Sequence, residues 1–353
     1  MLIPNSQILG LTQKFQTLRN KDLINFSLVT TAELPNKRSY FSSNVTKDFL
    51  SLESIGFKFH ASAINEELKN IDVVILTAHG NDLSAFILNI KDRNPNLILA
   101  TWFWDNHLAY LANYKTAIVS DIFYSSHAYC REYLMNPCSP IGPNLPACTA
   151  QWTKNELDFK EVLVSTERES KLFLNYVDYK FSWRSQILSE LRKFMPDAHV
   201  QVMSPENRDR YFTLTSIQKY QEWCSYKSTL ILPVDRDLST RVFDALFAGQ
   251  ILIVPTMIED FDSVISKEWQ DELGIVRIND LSLSTIQLAA RKAFEIFDKR
   301  GTNGLLKRLE FVSEKHMLKN RVEDILKNIK LLSNTSNKIR FGRISGAFGL
   351  FSE

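Results

Sequence analysis

The stretch STRVFDALFAGQILIVP, Ser239 to Pro255, sets two hydroxyls, a guanidinium and a carboxylate at the head of a short helical pattern. Val242, Phe243, Leu246 and Phe247 recur at helical spacing, Gly249 supplies a stop, and Ile251 to Val254 is an unbroken apolar run of the buried-strand type. The first turn of a helix carries backbone N–H groups without intrahelical partners and the positive end of the helix dipole. Ser239, Thr240 and Arg241 at that place make a seat for an anion, and the planar fork of Arg241 matches phosphate oxygens. Asp244, one turn on, suits ribose hydroxyls, as acids do in other nucleotide sites. A purely structural reading instead has Ser239 capping the helix and Arg241 paired with Asp237 or Asp244. Upstream, LNYVDYKFSWRSQIL places Asn175 and Tyr176 at a strand end and Arg184 at the start of the next helix, facing the same crevice. Pro255 to Asp260 then form a loop beside the bound ligand.

A second group of reactive types lies in the first half. TWFWDNH ends an apolar run with Trp102, Trp104, Asp105, Asn106 and His107; LTAHG ends another with His79; YSSHAY ends a third with Ser125, Ser126 and His127. Aromatic rings offer stacking faces, and a carboxylate or imidazole at a strand end can take a proton from a hydroxyl. Asp105 is the first candidate for such a base, with His79 and His107 next. Asp235 and Asp237 have the Asp-x-Asp spacing that can share a hard cation. Their place before the Arg241 helix, where a helix and an arginine already meet an anion, argues against a metal there.

These residues need elements to position them. INFSLVTT, FKFHASA, DVVILTA, NLILATWFW and TAIVSDIFYSS read as strands, with helical patterns such as NVTKDFLSLESIG and DLSAFILNIKD between them. Strand and helix in alternation mean crossover connections and a mainly parallel sheet. The segment holding Pro137, Pro140, Pro143 and Pro146 breaks the pattern and reads as an ordered linker. Alternation resumes with KLFLNYV, HVQVMS, STLILPV, QILIVP and LGIVRIN and closes in two long helical stretches. The expected organisation is a first Rossmann-like domain over 1–150, a second over 151–332 with the closing helices, and a tail over 333–353. Two doubly wound domains of this kind face a central cleft, and open parallel sheets bind ligands beyond the carboxyl ends of their strands.

Composition bounds the function. The 353 residues are 44% hydrophobic and 23% charged, which is ordinary for a globular chain. Lys+Arg 42 against Asp+Glu 40 gives a net charge of +2, so no global electrostatic case exists for nucleic acid. Four cysteines without metal-ligand spacing fit a reducing compartment. No apolar run approaches the roughly 20 residues that cross a bilayer, and MLIPNSQILGLTQKFQ lacks the basic start and long apolar centre of a secretory leader. A cytoplasmic location is expected; the Lys/Arg-rich C-terminal helices are compatible with peripheral attachment to a membrane surface. Gly-x-Ser-x-Gly, Gly-x-Gly-x-x-Gly and Gly-x-x-x-x-Gly-Lys-Ser/Thr are all absent, which removes the commonest hydrolase, dinucleotide and triphosphatase signatures.

The stretch STLILPVDRDLSTRVFDALFAGQILIVP resembles the donor-binding segment of GT-B glycosyltransferases, especially the spore-maturation-protein-like group, in which an Arg-x-Phe-Glu-like element precedes a small-residue turn and an apolar strand. The likeness covers roughly 171–330 and is weaker in the first domain. In the larger retaining families the equivalent helix begins with two glutamates seven residues apart. Here Arg236 occupies the first place and Asp244 the second, a departure from the retaining pattern. The resemblance implies transfer of a sugar from a nucleotide-sugar donor to a glycan, lipid-linked or protein acceptor, with no metal and no further cofactor. The donor set would be Arg241, Ser239, Thr240, Asp244, Arg184, Asn175 and Tyr176. Two alternatives follow from the departures: a catalytically degenerate nucleotide- or sugar-binding protein, and a metal-dependent Asp-x-Asp enzyme.

Overall fold

A computed structural model describes residues 5–30, 45–61, 68, 70–78, 80–104, 109–136, 138–149, 151–153, 159–177, 182–204, 213–334, 339–344 and 347–352. The chain divides into two compact units, Met1–Ala147 with Lys319–Glu353, and Cys148–Leu318. In the first, α1 (Asn5–Leu18) precedes β1 (Ile24–Thr30), a 3₁₀ segment (Val45–Ile55), β2 (Phe57–Phe59) and β3 (Val73–Ala78). Then come α2 (Ser84–Arg93), β4 (Ile98–Phe103), α3 (Tyr110–Val119), β5 (Ile122–Ser125) and α4 (Arg131–Leu134). The second unit runs α5 (Phe159–Ser165), β6 (Glu169–Val177), α6 (Trp183–Phe194), β7 (Ala198–Met203), α7 (Ser216–Cys224), β8 (Tyr226–Leu230), α8 (Thr240–Phe247) and β9 (Ile251–Pro255). It closes with α9 (Phe261–Val264), α10 (Lys267–Leu273), β10 (Val276–Ile278) and α11 (Leu283–Lys315). The last helix, α12 (Leu318–Asn334), belongs with the first unit, and β11 (Ile339–Ile344) pairs antiparallel with β12 (Ala347–Ser352).

Each unit is built on one five-stranded parallel sheet, ordered β2-β1-β3-β4-β5 in the first and β10-β9-β8-β6-β7 in the second. Counted from each unit's own first strand, both orders are 2-1-3-4-5. The order reverses direction between the first and third strands, β1/β3 and β6/β8, and that switch point is where an open sheet leaves a crevice at its carboxyl edge. The apolar runs are buried as parallel strands must be: every residue of β3, β4, β5 and β9 is buried.

The expected strands fall where the apolar runs predicted them, and the long helical pattern at 45–55 folds as the tighter 3₁₀ form. The chain's return to its first unit is the main difference from the sequence-based division, which grouped 319–332 with the second domain. α12 packs there by specific bonds. Arg321 Nε donates to Pro146 O at 2.9 Å, and the Tyr124 hydroxyl donates to Asn328 Oδ1 at 2.9 Å. Repeating apolar and basic residues define a helix but not the sheet it returns to.

α8 is short and held hard at its end. Gly249 takes φ +74, its N–H bonds Leu246 O, and Gln250 N–H bonds Ala245 O, the paired bonds of a Schellman stop. A side chain at Gly249 would collide with Leu305 and Leu163, so only glycine serves. The kink at Gly301 (φ 50, ψ −147) divides α11. Beyond the kink, Arg308 is fully buried; its Nε donates to Gly249 O at 2.9 Å and its Nη1 to Leu273 O at 3.1 Å. One guanidinium thus joins the carboxyl ends of α8 and α10, where the helix dipoles are negative. Burial pushes its pKa down to about 9, with the neighbouring Arg168 and Arg300 adding repulsion. Arg308→Ala leaves two buried carbonyls short of a donor and is expected to cost ~3–5 kcal/mol of stability, read as a fall in the urea midpoint at constant slope. A loss below ~1 kcal/mol would show that the clasp is not what fixes α8.

Candidate functional site

The crevice at the β6/β8 switch point is lined by the ends of those two strands and by the first turn of α8. Tyr176 near the end of β6 spans it. Its hydroxyl donates to Leu230 O at 2.7 Å and accepts from Leu232 N–H at 2.9 Å, pinning β6 to the chain leaving β8. Burial raises the Tyr176 pKa, so the phenol stays protonated and can do both. The ring carries two guanidiniums: Arg241 at 4.0 Å and Arg184 at 5.0 Å from its centroid. Arg241 also lies 5.0 Å from the Trp223 ring. Cation–π contacts with two aromatic rings fix the arginine without occupying its N–H groups.

The acids nearest Arg241 in sequence do not pair with it. Asp237 Oδ1 accepts from Val234 N–H at 2.8 Å and Asp235 N–H at 3.2 Å, closing its own loop. Asp244 is 2% exposed and accepts from Thr149 Oγ1 at 2.6 Å and Gln151 Nε2 at 2.7 Å. The carboxylate expected to meet a ribose therefore spends both oxygens on the segment that opens the second unit. Arg241 Nη1 is buried without a hydrogen-bond partner. So is Ser239 Oγ: Ser239 occupies the N-cap position of α8 with extended φ/ψ, yet its side chain makes no capping bond. Asn175 is 0% exposed with neither amide atom bonded. Buried polar groups are nearly always paired, and three unpaired ones at one switch point mark a place built for a ligand. Thr240 opens the first turn of α8 and is half-buried. Arg184 is buried and its Nη2 donates to Val177 O at 2.9 Å, so it steadies the end of β6.

Arg236, in the place of a family glutamate, is ion-paired with Glu259 and lies 3.8 Å from Asp235 Oδ1. That pair bridges the loop before α8 to the loop after β9. The structure thus brings together Arg241, Tyr176 and Arg184 from the sequence-derived set and turns Asp244 to a holding role. Trp223, Thr149 and Gln151 were not foreseen. Trp223 has the signature of an ordinary core residue on an amphipathic helix, and only the closed fold shows that its ring meets a cation.

In the first unit His79, Asp105 and His107 lie outside the described residues. The strands that lead to them, β3 and β4, end at Ala78 and Phe103 as expected. His127 is buried and stacks on Tyr129 at 5.6 Å.

No protein-family profile matches the chain, and no curated protein matches it in sequence. Solved structures do match. Sucrose-phosphate synthase from Thermosynechococcus elongatus aligns with a TM-score of 0.54 at 8% identity over 88% of this chain and 99% of that one. An O-GlcNAc transferase of Thermobaculum terrenum aligns with a TM-score of 0.52 at 12% identity over 94% and 74%. The fold is that of the GT-B glycosyltransferases. A chain of the GtfA/B complex matches more loosely, with a TM-score of 0.41 at 12% identity over 74% of this chain, which spans 57% of that chain's length. Nothing in these comparisons supports the narrower likeness to the spore-maturation-protein-like group.

Asp244 generates a test of its own. Burial raises its pKa to about 6, against the lowering effect of the Thr149 and Gln151 bonds and the Arg241 charge. Its ordinary value is 3.8, so the folded state binds the proton more tightly than the unfolded chain does. The contribution to stability is full below about pH 4 and is lost as pH rises through 6. Asp244→Asn does not titrate, so its stability relative to the native protein is expected to rise by ~2–3 kcal/mol between pH 4 and pH 7. Urea midpoints at several pH values measure this, and a flat difference would place the carboxylate in a more polar setting than the fold implies.

Proposed function

We propose that the chain is a glycosyltransferase that takes a sugar from a nucleotide-sugar donor and passes it to a glycan, lipid-linked or protein acceptor. The observation that carries this reading is Arg241: a guanidinium held by two aromatic rings at a helix start, with a buried N–H left unbonded beside an unbonded Ser239 hydroxyl. Glycosyl transfer from a nucleotide sugar requires a group that stabilises charge growing on the departing diphosphate, and preorganised donors in a dry site are the strongest means of doing so. Arg241, Ser239 and the backbone N–H groups of the first turn of α8 supply donors. Asn175 adds an amide that can both donate and accept. The glycosyltransferase fold supports the reading without naming the donor.

The reading is metal-independent. Asp237 is engaged in closing its loop and Asp235 is exposed beside Arg236, which supports a diphosphate seat made of arginine and helix rather than of Asp-x-Asp and a cation. For an inverting transfer a base must accept the proton of the attacking hydroxyl, and Asp105 remains the first candidate, ahead of His79 and His107. A second reading, donor binding without turnover, draws on Asp244: an acid committed to Thr149 and Gln151 is not free for the donor.

Arg241→Ala is expected to weaken binding of a nucleoside diphosphate by ~1.5–3 kcal/mol, the usual range for charge-assisted bonds, as read by titration calorimetry. Unchanged affinity in a folded variant would remove Arg241 from the site. Donor hydrolysis or transfer by the purified chain should survive EDTA; loss on chelation with recovery on Mg²⁺ or Mn²⁺ would favour the metal-dependent alternative. Asp105→Asn is expected to cut turnover by about 10²–10⁴-fold with nucleotide affinity unchanged. Near-normal turnover would pass the role to His79 or His107, tested by the same measurement on their alanine variants.

A further inference from the structure

The carboxyl end of the first unit's sheet carries a second set of unsatisfied groups, different in kind from the first. Register places Thr77 of β3 beside Trp102 of β4, and Trp102 beside Tyr124 of β5. The ladder continues one residue further, since Trp104 N–H bonds Ala78 O and Ser126 N–H bonds Phe103 O. Side chains alternate along a strand, so Thr77, Trp102, Trp104, Tyr124 and Ser126 lie on one face. The Trp102 and Trp104 rings are 4.6 Å apart, as that placement requires. Thr77 Oγ1 and Ser126 Oγ are both 0% exposed and both lack a hydrogen-bond partner.

The rest of the row is satisfied within the unit: Trp102 Nε1 donates to Leu145 O at 3.0 Å and Tyr124 Oη to Asn328. The fold therefore pairs polar atoms deeper in this face and leaves two hydroxyls open at its carboxyl end, on the strands either side of Trp104. No basic residue stands in the row, so a phosphate would find no counter-charge. Two neutral hydroxyls, each able to donate and accept, flanking an indole, match a sugar ring, which presents hydroxyls at its rim and C–H groups on its faces.

We propose that Thr77 and Ser126, with Trp104, form a saccharide subsite on the first unit, making a sugar the acceptor class. The inference rests on the glycosyltransferase reading for its role as acceptor site, but the binding it predicts does not depend on a donor. A hydroxyl kept buried without a partner weakens the empty fold, and its removal separates a ligand-binding role from a structural one.

The test uses the full chain with a panel of free hexoses, N-acetylhexosamines and their disaccharides, followed by saturation-transfer NMR, with uridine and guanosine diphosphates titrated in parallel. At least one saccharide is expected to receive saturation from the native protein, and Thr77→Val with Ser126→Ala is expected to lower its affinity by 10-fold or more. The melting temperature of each single variant without sugar should stay level or rise. Absence of saccharide signals from the native protein, signals that persist undiminished in the double variant, or a marked fall in melting temperature of the folded variants would overturn the assignment. Sugar binding that depends on Thr77 and Ser126 while neither nucleotide binds would defeat the donor reading and leave this one standing. Nucleotide binding without sugar binding would do the reverse.

Discussion

Arg241 keeps an unspent guanidinium because the two acids closest to it in the chain are committed elsewhere, and the rest of the second unit is arranged to preserve that condition. A surface ion pair with either acid would have been of little energetic value, but it would have filled the seat. Asp237 is drawn into its own loop by two backbone N–H groups, and Asp244 is drawn into the protein by Thr149 and Gln151. Tyr176 and Trp223 then hold the arginine by their ring faces, an interaction that orients the cation and leaves its N–H groups available. Tyr176 can do so only because its hydroxyl is fixed across the strand switch.

A seat at a helix start is no more precise than the helix. α8 has eight residues, too few to be stable by itself. Its carboxyl end is fixed by the Schellman turn at Gly249 and by Arg308. Its middle is fixed by Asp244 and by the stacking of Phe243 on His316 at 4.5 Å. His316 O in turn accepts the Thr149 amide at 3.0 Å. Thr149 and His316 lie close to the two points where the chain passes between its units, at 147/148 and 318/319. The donor helix is thus fastened to both ends of the second unit, which explains why an acid with a raised pKa is retained there: its bonds hold position at some cost in stability above pH 6.

Much of the fold was legible because buried parallel strands advertise themselves as apolar runs and their crossovers as amphipathic repeats. QILIVP and DVVILTA needed no tertiary information. The anion seat was legible for the same reason: Ser239, Thr240 and Arg241 stand before a helix that follows a strand, and the chemistry of a helix start is local. What was not legible depends on contacts distant in sequence. Asp244 reads as a donor-site acid by position, and only its meeting with Thr149 and Gln151, more than 90 residues earlier, reassigns it. Trp223 and the return of α12 to the first unit are of the same kind. Thr77 and Ser126 are a subtler case. A Thr or Ser in a strand is commonplace in sequence, and its meaning lies wholly in whether the fold supplies a partner.

The two sheets share one strand order but differ in the chemistry left open at their carboxyl ends. In the second unit the open groups include a cation next to a helix start; in the first they are neutral hydroxyls beside an indole. A single ligand chemistry would not select for both. A phosphate bound in the first unit would be desolvated without a counter-charge, which is costly, and a neutral sugar alone would leave the guanidinium of the second unsatisfied. The pair of sites makes physical sense for a reaction with one highly charged participant and one uncharged one, each desolvated in surroundings matched to it. Glycosyl transfer from a diphosphate-activated donor to a sugar hydroxyl is a reaction of that form.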